Sequence, residues 1–335
     1  MQINSTEGEH GNAGITVALS MLTVLYAGAR FLQSFPDKFP MLVIVSLHVL
    51  PPALFALVHG AIPYRLRGIL TFTFLFLLVG NIFENLSILT GFPFGHYHFT
   101  DVMGPQVFHV PILLGLAYVG MGYLSWTLAR LILGDIKPKL TGTHLVALPL
   151  VASFIMVAWD LSMDPIWSTV VRGWIWHQGG SYFGVPVTNF LGWYLTVFFA
   201  YQLFALYLRK CPSYYRPLRP SFWKLPVLFY GISAAGNLLV IPRTGLSVVS
   251  DSTGAQWKVN DIIGASTVVS LFTMGAFALL AWVRLTDQIT EVRESTDAQK
   301  TVEEETCEQR PVRNPTRSLQ IELAKKFEQS GRAIK

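Results

Sequence analysis

The chain has 335 residues, of which 52% are apolar and only 13% charged, and its mean hydropathy is +0.44. A soluble domain carries roughly twice that charged fraction, so the composition points to a membrane protein. The formal net charge of +5 gives no argument for nucleic-acid binding: the basic residues gather in short connecting segments and a tail, where they set membrane orientation.

Residues 1–14, MQINSTEGEHGNAG, form a polar N-terminal segment. It is acidic rather than basic, unlike a cleavable signal peptide. Eight apolar segments follow, at about 15–33, 41–62, 69–90, 111–133, 144–161, 187–208, 225–242 and 262–285. Each approaches the ~20 residues that cross a bilayer. The expected fold is therefore all-α, a polytopic integral membrane helical bundle of about eight transmembrane helices, with 15–285 as its membrane domain and no internal repeat. The composition then shifts, with nineteen charged residues between Thr286 and Lys335. Residues 286–335 read as a charged, disordered tail, with room for a short amphipathic helix from Ser318 to Gln329.

The connecting segments alternate in charge. On the N-terminal side of the membrane (side A) lie Arg65, Arg67, Lys137, Lys139, Arg209, Lys210, Arg216, Arg219 and Lys224; the longer segments of side B hold only Lys38, Arg172, Arg243 and Lys258. The excess on side A places both termini in the cytosol. There the two cysteines, Cys211 and Cys307, stay reduced.

Ionisable side chains within apolar spans are costly and are functional suspects by default. Glu84 is the clearest, with Asn81 three residues earlier on the same helical face and placed to hydrogen-bond it. The bland alternative is a structural acid clamped by a neighbouring helix. Asp160 and Asp164 share a face if their helix reaches Asp164, and Pro165 then reads as the helix stop. Between Trp174 and Tyr194 the chain is dense in Trp, Tyr and Gly. That stretch reads either as an interfacial aromatic belt or as a cavity wall whose ring faces stabilise a cation. Asn189 is placed to orient a carboxyl group or a water, and Asn237 is a lesser candidate of the same kind.

All three clusters fall on side B. Carboxyl groups sharing an apolar cavity do not all ionise, because burial and like charge both favour the neutral acid. A protonated acid beside a desolvated alkene is what alkene protonation requires. Glu84, Asp160, Asp164 and Asn189 are the expected catalytic residues. Asn81, Phe94, Tyr97, Trp159, Trp167, Trp174, Trp176 and Tyr182 are the expected substrate-binding residues. No metal and no cofactor is expected. His96, His98, His109 and His177 lie on the side of the acids without supporting carboxylate spacing, while His48 and His59 read as packed or helix-end residues. No phosphate-binding glycine loop and no Gly-x-Ser-x-Gly elbow is present.

At these residues the chain resembles a known family. Glu84 followed by Thr90-Gly91-Phe92-Pro93-Phe94-Gly95-His96-Tyr97 and Val110-Pro111 is similar to the membrane carotenoid-biosynthesis proteins typified by bisanhydrobacterioruberin hydratase and gamma-carotene hydratase. So are Trp159 to Pro165 and Tyr182 to Trp193, and the resemblance extends over roughly residues 70–285. It implies water addition to a terminal isoprenoid double bond without cofactor or redox change, with Glu84, Asp160, Asp164 and Asn189 as functional positions. The charged tail departs from the bacterial pattern and resembles a eukaryotic, fungal-type protein, for which the endoplasmic reticulum membrane is the expected location.

Alkene protonation also starts class II terpene cyclisation, in which a neighbouring alkene rather than water quenches the cation. The sequence-level reading is a transmembrane catalytic domain, 15–285, that protonates an isoprenoid alkene and cyclises a prenyl chain. Its partners would be a hydrophobic isoprenoid or prenylated small molecule and membrane lipid, with no nucleic acid. The alternatives are a carotenoid hydratase and a non-catalytic transporter or lipid-binding protein.

Overall fold

Within a bilayer every backbone N–H and C=O must find its partner inside the protein, which an apolar helix does unaided. The computed structural model describes residues 5–35, 38–134, 140, 142–211, 218, 220–240 and 248–308, and it is built on that rule. Helices α1 (Ser5–Leu32), α2 (Met41–Thr90), α3 (Ile112–Ile132), α4 (His144–Asp164), α5 (Val187–Lys210), α6 (Lys224–Gly236), α7 (Val259–Val269) and α8 (Gly275–Glu308) make up most of it. Among the described residues, three two-stranded antiparallel ribbons lie in the connections. They pair β1 (Tyr97–Phe99) with β4 (Trp174–Trp176), β2 (Gln106–Val107) with β3 (Val110–Pro111), and β5 (Val248–Ser250) with β6 (Gln256–Lys258).

Among the described residues, six helical stretches are long and apolar enough to cross a membrane, so the protein is a multi-pass membrane protein. The eight apolar segments reduce to six for two reasons. Segments 41–62 and 69–90 fall within α2, whose 50 residues contain one non-helical residue, Arg65, at φ 56° and ψ 171°. That residue divides α2 into parts each close to the length of one bilayer crossing. The segment at 225–242 becomes α6, with 13 residues. At 1.5 Å per residue that is about 20 Å, short of a ~30 Å hydrocarbon layer.

Helix α3 is the centre. Every residue from Ala117 to Leu131 is buried, as befits a helix apolar all round. Its approach to α2 depends on Gly120: a Cβ there would lie 2.8 Å from the backbone of Pro52 and Ala53. Helix α1 is tied to α6 by polar contacts, Tyr26 Oη donating to Ser233 Oγ (2.9 Å) and Gln33 Nε2 to the Gly236 carbonyl (2.7 Å).

Pro165 does not stop its helix. The coil continues as a wider, π-helical turn, Pro165–Val170, closed by Val171 N–H to the Ile166 carbonyl (2.9 Å). Proline lacks an N–H but satisfies the helical φ at the start of a new turn. A second π-helical turn, Ser270–Met274, joins α7 to α8.

Residues up to Thr286 form one compact unit and those from Asp287 a second. Of that second unit the described part is helical to Glu308, where disorder was expected. The amphipathic segment expected at 318–329 lies outside the described residues.

Candidate active site

Four helices, α2, α3, α4 and α5, and one ribbon build the site. After Glu84, α2 terminates at Gly91, whose φ of 82° is left-handed and whose N–H caps the Ser87 carbonyl (2.7 Å). The chain then folds back over its own helix end. Ser87 Oγ accepts the Phe94 N–H (3.0 Å) and donates to the Gly95 carbonyl (2.9 Å). Phe94 is buried against Gly192 of α5, where a Cβ would come within 2.6 Å of its ring. This return delivers Tyr97 to Glu84.

The β1–β4 ribbon pairs Tyr97 with Trp176 and Phe99 with Trp174. Alternate residues of a strand face opposite ways, so these four rings line one pocket with Glu84 and Asp164. His98, on the opposite face, is exposed, and its Nδ1 lies 2.8 Å from His177 Nε2. His96 is exposed as well.

Three carboxyl groups converge here. Glu84 is 3% exposed, Asp160 0%, Asp164 1% and Asn189 1%. Glu84 accepts from Tyr118 Oη at Oε1 (2.6 Å) and from Tyr97 Oη at Oε2. Asp164 accepts from Trp174 Nε1 at Oδ1 (3.0 Å) and from Asn189 Nδ2 at Oδ2. Asn189 Nδ2 is also 3.1 Å from Asp160 Oδ2, so one amide bridges both aspartates. Asp160 Oδ1 has no hydrogen-bond partner. Burial, reinforced by the charge of Glu84, pushes the Tyr97 phenol well above its ordinary range, so it remains a donor.

Glu84, Asp164 and Asn189 line a small polar pocket. Leu114 and Trp174 are shared between its wall and that of an apolar cleft, which Trp159, Trp167 and Met163 also line. Among the residues lining the polar pocket there is no basic side chain.

The expected residues thus separate into groups. Glu84, Asp160, Asp164, Asn189, Tyr97, Trp174 and Trp176 come together, with Phe94 packed behind them near Tyr97 and Trp193 (6.5 and 6.4 Å between rings). Trp159 and Trp167 line the apolar cleft. Asn81 does not bond Glu84; its Oδ1 accepts from Asn85 Nδ2 (3.1 Å) one turn on. Tyr182 lines neither space, and its hydroxyl reaches the Leu161 carbonyl (3.3 Å). Asn237 lies apart from the acids, donating to Ser162 Oγ and Ser270 Oγ at 3.3 and 2.9 Å. His59 is packed, with Nδ1 2.6 Å from Tyr123 Oη.

Beside Phe99 and Leu114 of the pocket wall, two further members of the site went unassigned from sequence. Tyr118 holds Glu84, and Trp193 stacks on Tyr118 (4.4 Å, 7°). Trp193 carried a signal, since it follows Asn189 by four residues on one helical face. Tyr118 carried only its hydroxyl within an apolar span.

Residues 39–244, more than half of the chain, match the sequence model of a family described as carotenoid biosynthesis protein. The match begins before and ends before the 70–285 stretch over which motifs were legible. No curated protein and no solved structure matches.

Proposed function

We propose that this chain, which belongs to the carotenoid biosynthesis protein family, is a membrane enzyme that protonates an isoprenoid alkene and closes the resulting cation into a ring. The observation that carries the reading is a cluster of three buried carboxyl groups: Glu84 and Asp164 line a pocket that has no basic side chain and adjoins a tryptophan-lined apolar cleft, and Asp160 is joined to Asp164 through Asn189. Unpaired buried carboxylates are too costly to coexist fully ionised, so the cluster retains protons.

Asp160 is the assigned donor. Both oxygens of Glu84 and of Asp164 are engaged as acceptors, whereas Asp160 Oδ1 is unpartnered, and an O–H there meets no competing acceptor. The proton adds to the less substituted alkene carbon and leaves a tertiary cation. Trp159 and Trp174 ring faces and the remaining carboxylate charge stabilise it. A second alkene of the folded chain attacks the cation, forming a carbon–carbon bond. Loss of a proton to the carboxylate cluster then restores the acid. The net change is an isomerisation, with no electron acceptor and no cofactor.

A second reading is hydration, favoured by the polar pocket beside the cleft. There water attacks the cation and gives its proton to the same cluster. The apolar cleft supports ring closure first, because it is where a prenyl chain would fold away from water. The excess of basic residues on side A supports a cytosolic N-terminus, and the fungal-type tail supports an endoplasmic reticulum membrane.

The test is mass spectrometry of lipid extracts from a host expressing the protein and fed prenylated phenols and polyenes. A product of unchanged mass and altered retention is the expected result. A product heavier by one water would transfer the reading to hydration, and no product from either class would overturn it in favour of a transporter.

A further inference from the structure

The apolar cleft holds a charge that the acid cluster does not pair. Arg30, near the end of α1, lines it and is only 6% exposed. Its Nη2 donates to the Ser233 carbonyl (3.1 Å) and to Asn237 Oδ1. Its Nε, also buried, has no partner. Both acceptors are neutral. An ionised side chain withdrawn from water without an opposite charge is strongly disfavoured, and tying α1 to α6 needs no charge: Tyr26 and Gln33 already do so through neutral groups. The same cleft runs on to Trp174, whose Nε1 is bonded to Asp164 of the acid cluster. One cavity therefore carries a buried cation on α1 with no carboxylate partner, walls that are apolar and tryptophan apart from Tyr26 and His48, and an acid cluster on its border.

We propose that Arg30 binds the head end of the substrate, and that the substrate is an isoprenoid whose head carries a carboxylate or comparably charged oxygen. The inference rests on reading the acid cluster as the site of alkene protonation. The geometry then specifies a polarity: charged head at Arg30, hydrocarbon along the tryptophans, alkene at the acids. An all-hydrocarbon polyene leaves Arg30 unpaired. An isoprenoid acid pairs it, and the guanidinium fork suits a carboxylate held in a dry site.

A membrane fatty acid offers the same head chemistry, so the test has to separate the two sources. The full chain in detergent is titrated at pH 8 with farnesoic acid, with farnesol and with myristate, following quenching of the cleft tryptophans. A charge-assisted hydrogen bond predicts farnesoic acid binding about tenfold to a hundredfold tighter than farnesol, and tighter than myristate. Arg30→Gln should erase the preference for the acid over the alcohol, and Arg30→Lys should retain part of it. Equal binding of acid and alcohol by the parent chain would overturn the proposal while leaving the alkene reading intact. Equal binding of myristate would assign the site to bulk lipid and overturn the substrate assignment. Failure of all three ligands to bind would refute the cleft as a substrate site. Because the ligand comparison is made on the parent chain, it stands even if the Arg30 variants fail to fold. Loss of turnover in Asp160→Asn tests the acid cluster separately.

Discussion

Asp160→Asn separates chemistry from folding more cleanly than any other change in the cluster. The side chain is fully buried and its Oδ2 accepts from Asn189 Nδ2 at 3.1 Å. A carboxamide has the same size, and its oxygen can take over that role. The position now held by Oδ1 has no partner to lose, so one unpaired buried atom replaces another, and the two residues have similar helix propensity. The folding change is therefore about 1 kcal/mol or less. The acid itself is gone, and a positioned general acid contributes roughly 10²- to 10⁴-fold to rate. Turnover should fall by that factor, read as product formed per unit of inserted protein, with the thermal unfolding midpoint in detergent nearly unchanged. Asp164→Leu is the contrast. It orphans Trp174 Nε1 and half of the Asn189 bridge, costing about 1–3 kcal/mol per buried donor, and should lower the midpoint visibly. An Asp160→Asn protein that retained a third or more of parental turnover would refute the assignment of Asp160 as the donor.

Tyr118→Phe removes the 2.6 Å hydrogen bond to Glu84 Oε1 while keeping the stack on Trp193. About 1–3 kcal/mol of stability should be lost, with product mass unchanged and turnover reduced, as product assays and thermal unfolding would record. Gly120→Leu drives a side chain into the backbone of Pro52 and Ala53 and should cost at least 1–3 kcal/mol; a midpoint equal to that of the parent would contradict the close α2–α3 crossing. Asp251 stands in the β5–β6 hairpin, outside the spans. Partial burial alone would raise its pKa, but the Thr253 hydroxyl, Trp257 Nε1 and the N–H groups of Thr253 and Ala255 donate to it and hold it below the ordinary carboxylate range. Its stabilisation is therefore present above the unfolded-state pKa of about 3.9 and lost as pH falls through the lower folded value. Proteolysis of the hairpin should accelerate on acidification in the parent chain, and Asp251→Asn should abolish that pH dependence.

The membrane character and most helical segments were legible because they depend on composition over some twenty residues, a local property. The acids were legible for a related reason: a carboxyl group within an apolar run is conspicuous wherever the chain later carries it. The Asp160–Asp164 pair followed from helical spacing alone. Asn81 shows where that logic stops. The spacing that places it beside Glu84 equally places it beside Asn85, and the second partner prevails, because Glu84 is already taken by Tyr97 and Tyr118 from other elements.

Sequence by itself determined a polytopic helical protein with three acids and an amide toward one end of its bundle. Only the tertiary structure decided which groups satisfy which acid, and so which carboxyl oxygen is left unpartnered. It also decided that α2 absorbs two segments through one residue at Arg65, and that Arg30 is buried beside the apolar cleft. Those outcomes depend on contacts between residues as far apart as Arg30 and Ser233, or Glu84 and Tyr118. Such contacts form when helices pack, and no periodicity within a single segment encodes them.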